Sequence, residues 1–347
     1  MTGMMQAVRI DAPGTVTLAR MPAPLPAPDE VRLRLTHVGY CGSDLSSYLG
    51  RNPMVSFPRL PGHEIAAIVD QPGSGVSDLA AGQSVTVLPY FNCGACVACR
   101  KGRPNACRDN QTMGVQREGA MSEYVCVPRR YVIPVKGLAQ RDLALIEPVA
   151  VGFHAAARAD IQPGESVAVL GCGMIGLGVL LGARARGARV IAVDIADGKL
   201  ELAGRLGAET GVNAAREDVV AHLRALTGDE GPSVIIEAAG AAATFRQAVE
   251  AVAPCGRVVY VGYTKTEVAY ETRLFPMKEI EIYGSRGATF ADFDAVIGYF
   301  RAHPDLAELA DRIVTRMPRL DTAPDAMRDW ARDPGAITKI IIDMGVL

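Results

Sequence analysis

VAVLGCGMIGLGVLL, residues 167–181, decides the fold. An unbroken apolar run, short enough for a buried strand, enters a turn bearing Gly171, Gly173 and Gly176 and leaves into a run with helical character. The order G-x-G-x-x-G has a physical reason at each place. The first glycine permits the tight turn, the second lets backbone approach a pyrophosphate, and the third allows close packing of helix on sheet. Met174 and Ile175, between the second and third glycines, fall where the helix begins and where its aligned N–H groups would face an anion. About twenty residues on, VIAVDIADGK (190–199) ends a second apolar run at Asp194. A carboxylate there accepts hydrogen bonds from both ribose hydroxyls of an adenosine and repels a 2′-phosphate, so NAD is expected over NADP. Lys199 and the arginines of GARARGAR (182–189) soften that preference.

Outward from this stretch the rhythm persists. Between about 165 and 285, apolar segments such as RVIAVDIA, SVIIEAAG and GRVVYVGY alternate with helical segments such as KLELAGRLG and ATFRQAVEAVAP. That is the pattern of βαβ units forming a parallel, doubly wound sheet, an α/β architecture. Residues 1 to about 150 read differently, as short β segments such as EVRLRLTHVGY, EIAAIVDQ and QSVTVLPY separated by proline and glycine. From about 288 the tail carries helix-like FADFDAVIGYFRAH and APDAMRDWARD, then strand-like ITKIIIDM, which is expected to rejoin the first domain. A chain of 347 residues is long enough for two cores. With 21% charged residues and a formal net charge of −2, no global field favours a nucleic-acid backbone or an anionic membrane. No apolar run of about 18 residues and no basic, apolar, small-residue leader is present, so a cytoplasmic protein is expected.

In a reducing compartment clustered cysteines are metal ligands before they are disulfides. Cys93, Cys96, Cys99 and Cys107 follow C-x2-C-x2-C-x7-C in a loop pinched by Gly94 and Gly102, a spacing that suits a closed, tetrahedral structural zinc. Arg100, Lys101, Arg103 and Arg108 surround it and raise the rival reading of a nucleic-acid-binding ribbon. Four thiolates around one dication leave net negative charge, however, which nearby cations offset without any nucleic acid. Other metal-competent residues stand at separate turns: Cys41 in VGYCGSDLSS, His63 and Glu64 in RLPGHEIAA, and Glu147 in ALIEPVAVGFH. Thiolate, imidazole and carboxylate together can hold zinc with one position left for water or an alcohol. Singly, each is as readily a core or capping residue.

The strings CGSD, PGHE, the four-cysteine loop, EP and GCGMIGLG occur in the order found in the zinc-dependent medium-chain alcohol dehydrogenases, and the chain resembles that family over nearly its whole length. Within it, the polyol, threonine and sugar-acid branch is most similar. The resemblance implies a GroES-like catalytic domain (1–148, completed by 288–347), a Rossmann domain (149–287) and an active site in the cleft. It implies two zinc ions per chain. Cys41, His63 and Glu64 would be ligands of the catalytic zinc, Glu147 would bind that zinc or its water, and the four-cysteine loop would be the structural lobe. Ser43 matches the hydroxyl that takes the alcohol proton, and Asp44 would support the site, orienting His63. A homotetramer or homodimer is implied as well. The implied chemistry is alcohol oxidation, with zinc as Lewis acid and hydride passing to the nicotinamide.

One departure bears on the proton path: many relatives carry a histidine where this chain has Ser46. Bulk water, a ribose hydroxyl and His37 are the alternatives, and the sequence does not choose among them. RNPMVSFPRLPGHE (51–64), MGVQREGAMSEY (113–124) and GSR (284–286) are similar to segments of bacterial hexonate dehydrogenases acting on L-galactonate, L-gulonate or idonate. A sugar acid needs a cation remote from the reacting hydroxyl, and Arg51, Arg117 and Arg286 are the candidates, with Tyr48, Phe57 and Phe91 as possible pocket walls. The expectation is therefore a small-molecule enzyme oxidising a secondary alcohol of a hexonate, at C5. A neutral polyol dehydrogenase of the sorbitol type is the alternative, L-threonine 3-dehydrogenase is weaker, and a non-catalytic regulator on the same fold is disfavoured by the intact zinc set.

Overall fold

The computed structural model describes residues 3–304 and 307–345. The chain divides into two units, residues 1–147 with 297–347, and residues 148–296. The second dividing line falls inside the helix Phe290–Ala302, not near 288, the expected boundary. The reason lies in that helix's first turn. Asp292 accepts hydrogen bonds from Thr289 N (2.8 Å) and Oγ1 (2.6 Å) and pairs with His154 Nδ1 at 2.9 Å, which ties the turn to the second unit.

The first unit is built on a seven-stranded sheet. In order its strands are Val314–Arg316, Lys339–Asp343, Glu30–Tyr40, Glu64–Pro72, Ser84–Val87 and Val132–Pro134, and Tyr124–Pro128 also pairs with Glu30–Tyr40. EVRLRLTHVGY alternates as expected only as far as Leu35. Val31, Leu33 and Leu35 are fully buried, each worth about 2 kcal/mol of apolar burial, while Arg32 turns outward to Asp70 at 2.6 Å. From Thr36 to Tyr40 every residue is buried, because both faces of the strand are covered there. The tail strand pairs antiparallel with this buried half, Ile340 opposite Tyr40, Ile341 opposite Gly39 and Asp343 opposite His37. On the other side Glu64 lies opposite Gly39.

The second unit holds a six-stranded, wholly parallel sheet. Its spatial order is Thr210–Asn213, Arg189–Asp194, Ser166–Leu170, Val234–Glu237, Arg257–Tyr260, Glu281–Gly284, or 3-2-1-4-5-6 in chain order. Ala168, Leu170, Ile191, Val193, Ile235 and Val258 fill one core layer. Because the inner strands are covered on both faces they read as continuous apolar runs, which is why the sequence showed no alternation here. Strand order reverses beside Ser166–Leu170, and ligands of such sheets bind at that reversal, beyond the carboxyl ends of the strands. Gly171 and Asp194 both stand at that edge.

Candidate active site and metal centres

The turn that follows strand Glu30–Tyr40 makes Cys41 the N-cap of the helix Gly42–Tyr48. Asp44, fully buried in the first turn of that helix, accepts from Cys41 N (2.9 Å) through Oδ2 and from Gly62 N (3.1 Å) through Oδ1. One carboxylate therefore fixes the backbone beside two metal-competent residues 22 positions apart. This corrects the expectation that Asp44 orients the His63 ring: its bonds go to main chain. Donor atoms of Cys41, His63 and Glu64 lie within 4.8 Å of one another. His63 Nδ1 and Ser43 Oγ are buried without hydrogen-bond partners among the described residues. Burial opposes charge on His63, yet Cys41, Asp44 and Glu147 outweigh it and raise its pKa well above 6.5. A buried pocket of anionic donors with an orphaned imidazole nitrogen fits a divalent cation.

Glu147 is not among the three residues whose donor atoms lie within 4.8 Å of one another, yet its charge acts on His63. Its carboxylate accepts a hydrogen bond from the Tyr90 hydroxyl. Burial, reinforced by Glu64, pushes its pKa up to about 7 against the opposing pull of His63, Tyr90 and Lys339. Glu64 is likewise engaged: Lys339 Nζ lies 2.5 and 2.6 Å from its two carboxylate oxygens and donates to Tyr40 O at 3.1 Å. Sequence reasoning missed Tyr90 and Lys339. For Lys339 a signal existed, since a lysine heading the apolar run IIID has to find a partner if the strand is buried.

The four clustered cysteines meet as well. Their sulfurs lie within 4.8 Å of one another, with Sγ separations of 3.6 Å (96–99), 3.9 Å (96–107) and 3.5 Å (93–107). A tetrahedron with metal–sulfur bonds of about 2.3 Å has edges of about 3.8 Å, whereas a disulfide needs about 2.05 Å. Backbone N–H groups of Cys93, Cys96 and Asp109 each point at a cysteine sulfur from 3.3 Å. Arg108 pairs with Asp109 at 3.4 Å and Arg100 with the Ala95 carbonyl, so two of the four surrounding cations serve the loop itself.

In the second unit the three glycines of the turn do what their spacing demands. Gly171 has φ +95°, and a Cβ there would lie 2.8 Å from Ala239. A Cβ on Gly176 would lie 1.8 Å from Gly171 O. Above Gly173, the N-cap of helix Met174–Arg184, nothing lies within 4 Å of an added Cβ, which leaves the space a pyrophosphate needs. Met174 and Ile175 are half-buried at the helix start, and Lys199 is half-buried in helix Asp197–Arg205. Asp194 is buried; it accepts from Cys172 N (2.7 Å) and Ala196 N (3.1 Å), so the same carboxylate also braces the glycine turn.

The three candidate arginines do not form one group. Arg51 and Arg117 belong to the first unit and Arg286 to the second, all three exposed. Arg117 stacks over the Phe91 ring at 4.3 Å, and Phe91 adjoins Tyr90, the partner of Glu147. Arg51 N is bonded to Ser46 O at 2.7 Å. His37 is buried with Nδ1 unpartnered, and burial pushes its pKa down. Among the described residues no helix is long and apolar enough to cross a membrane.

Residues 27–137 match the alcohol dehydrogenase GroES-like domain and residues 175–301 the zinc-binding dehydrogenase family. L-galactonate-5-dehydrogenase of Escherichia coli K12 is 37% identical over 92% of this chain and 93% of its own. A zinc-binding dehydrogenase of Sinorhizobium meliloti 1021, solved with NADP, superimposes with a TM-score of 0.88 at 31% identity, covering 98% of this chain and 99% of that one. The RspB alcohol dehydrogenase of E. coli CFT073, solved with NADH, gives 0.91 at 27% identity with the same coverage. Both halves of the family pattern thus run in order along one chain, a GroES-like domain with an open donor cluster and a Rossmann sheet with its glycine turn, and the chain belongs to the zinc-type alcohol dehydrogenases, oxidoreductases that use a nicotinamide cofactor.

Proposed function

We propose that this dehydrogenase oxidises a secondary alcohol of a hexonate, at C5, to the ketone with hydride transfer to NAD. The observation that carries the reading is the Cys41, His63 and Glu64 donor cluster, with Ser43 Oγ buried and unpartnered in the adjoining helix. Cys41, His63 and Glu64 would hold the catalytic zinc, and the four-cysteine loop a second one. Bound there, zinc supplies Lewis acidity to the substrate oxygen. Ser43 Oγ would relay the alcohol proton, taking it up as its own hydroxyl proton passes on to water, while Asp44 locks the two backbone segments that present Cys41 and His63, and Tyr90 holds Glu147 near them. In the second unit the helix N-terminus at Gly173 binds the pyrophosphate and Asp194 the adenosine ribose. Each carboxylate oxygen of Asp194 has a further lone pair beyond those used on Cys172 and Ala196. A preference for NAD of at least about 100-fold in kcat/KM, narrowed by Asp194→Ser, is expected of a carboxylate facing a 2′-phosphate.

The sugar-acid reading draws on the L-galactonate-5-dehydrogenase likeness and on the exposed Arg117, whose guanidinium carbon lies 4.3 Å over the Phe91 ring and whose N–H fork matches a carboxylate bidentately. Turnover of NAD by the zinc-loaded protein against each hexonate paired with its neutral polyol tests this. A hexonate advantage that Arg117→Gln cuts by about 10- to 100-fold supports it, since a charge-assisted bidentate contact is worth about 1.5–3 kcal/mol. Equal or better turnover of neutral polyols would make this a sorbitol-type enzyme. We further propose a homo-oligomer, dimer or tetramer, in the cytoplasm. The edge strand Glu281–Gly284 with Ile282 (43%) and nearby Met277 (74%) exposed supports the first, to be read by light scattering, and eight free cysteines support the second.

A further inference from the structure

We infer that Lys339 is a positioning residue of the open metal centre, holding Glu64 as a ligand by clasping its carboxylate in a cradle that Gly39 leaves open. The inference rests on the zinc reading above and extends it to a residue 275 positions from its partner.

Three observations meet at one point. Lys339 and Glu64 are 3% and 0% exposed, and Nζ reaches both carboxylate oxygens. Gly39 lies opposite Glu64 in the sheet, and a Cβ at Gly39 would lie 1.8 Å from Glu64 Oε2, so no other residue at that position leaves room for the carboxylate. The third donor bond of the ammonium goes to Tyr40 O, one residue before Cys41. The cradle is thus framed by the strand that leads into the thiolate ligand, the strand that begins with Glu64 itself and the tail strand.

Charge explains why a lysine is needed. Cys41 as thiolate and Glu64 face one another in a buried site, with the carboxylates of Asp44 and Glu147 close enough to act on His63, so acidic groups outnumber what one divalent cation offsets. Lys339 places a buried positive charge against that excess, and uncompensated charge in a buried centre carries a large desolvation cost. Clasping does not consume the ligand, because each carboxylate oxygen has two acceptor sites and one can face the metal while the other faces Nζ. Without the ammonium, a fully buried carboxylate loses the side chain that, among the described residues, donates to both its oxygens, and it leaves the position in which one of its oxygens stands within 4.8 Å of the Cys41 and His63 donors.

The test counts zinc. Lys339→Met keeps the length and removes the charge. Wild-type protein is expected to hold two zincs per chain. The Met variant is expected to hold one, retained by the four cysteines and serving as the internal control for folding, with zinc affinity at the open site weakened about 10- to 100-fold in chelator competition. In a Glu64→Gln background, Lys339→Met should change that affinity less than about twofold, because the partner it serves is gone. If the Met variant does not fold, Gly39→Ala, which crowds the carboxylate without touching charge, is expected to give the same selective zinc loss. Two zincs held at wild-type or tighter affinity in the variant would reduce Lys339 to a tie between strands and overturn the inference. A wild-type protein holding only the four-cysteine zinc would instead overturn the open-site reading on which it rests.

Discussion

The two metal-competent clusters of the first unit are assembled in opposite ways. The four cysteines lie within fifteen consecutive residues, share one loop, and have N–H groups of that loop turned toward their sulfurs. The other cluster takes Cys41 from a helix cap, His63 and Glu64 from the start of a strand, and a buried lysine from the last strand of the chain. A site closed by thiolates needs only a local loop that brings sulfurs to about 3.8 Å spacing. A site that leaves one position for substrate needs the whole sheet to hold its three donors, an Asp44 to pin their backbones and a counter-ion to settle their charge. The lesson is that local clusters stabilise, and distributed clusters, held rigid by the core, are suited to catalysis.

The sharpest way to break this contrast is to remove one ligand from the distributed cluster. Cys41→Ser is expected to reduce turnover by at least about a thousandfold, the loss of several kcal/mol of Lewis-acid assistance. Zinc content should fall from two per chain to one, and the melting temperature should change little. If activity and both zincs survive, the distributed cluster is not the reaction centre. The complementary change, Cys107→Ser in the buried corner of the local cluster, should do the reverse. It should lower the melting temperature by about 5–10 °C, as expected for about 2–3 kcal/mol in a unit of this size. Turnover at low temperature should stay within a few fold. Acidification should separate the two clusters in the same direction. Metal release rises as pH falls because protons compete for ligands, and the four-thiolate loop, which takes up about four protons on release, should show a steeper transition than the open site with about two.

The sequence's legibility follows the same divide. The glycine turn, the parallel strands and the four-cysteine loop could be read because each is a contiguous stretch whose spacing is itself the geometry. Cys41, His63 and Glu64 were legible only through a family resemblance, since nothing in their spacing says that they meet. Lys339 was not legible as the partner of Glu64, because their encounter depends on sheet register, Ile340 opposite Tyr40 and Glu64 opposite Gly39, and Tyr90 was not legible as the partner of Glu147, because it joins a short strand to the first turn of the distant helix Ile146–Arg158. For Asp44 the expected contact was with the His63 ring, whereas its bonds go to main chain, because an aspartate in the first turn of a helix reaches backbone N–H groups before it reaches a ring. That a dividing line falls inside the helix Phe290–Ala302 was not legible either, since the His154–Asp292 contact ties that helix's start to a distant element.

The smallest expected effect probes the least legible contact. Tyr90→Phe removes one hydroxyl and leaves the ring in place, so Glu147 loses a hydrogen bond that favours its ionised form. Zinc content should remain two. Turnover should fall about tenfold, roughly the 1.4 kcal/mol of one hydrogen bond to a charged group. A second readout has a definite sign. Burial raises the folded-state pKa of Glu147 from 4.5 to about 7, so in the metal-free protein the fold binds a proton that the unfolded chain releases across that window. Stability of the metal-free protein therefore falls as pH rises from about 4.5 through 7. Losing Tyr90 pushes the folded pKa higher still and extends that fall to higher pH, whereas Glu147→Gln abolishes it. Urea denaturation of the metal-free wild type and both variants at pH 5 and pH 8 measures the difference. Identical pH dependence in wild type and Tyr90→Phe would mean that the Tyr90 hydroxyl does not govern Glu147, and the distributed site would then be held by Asp44 and Lys339 alone.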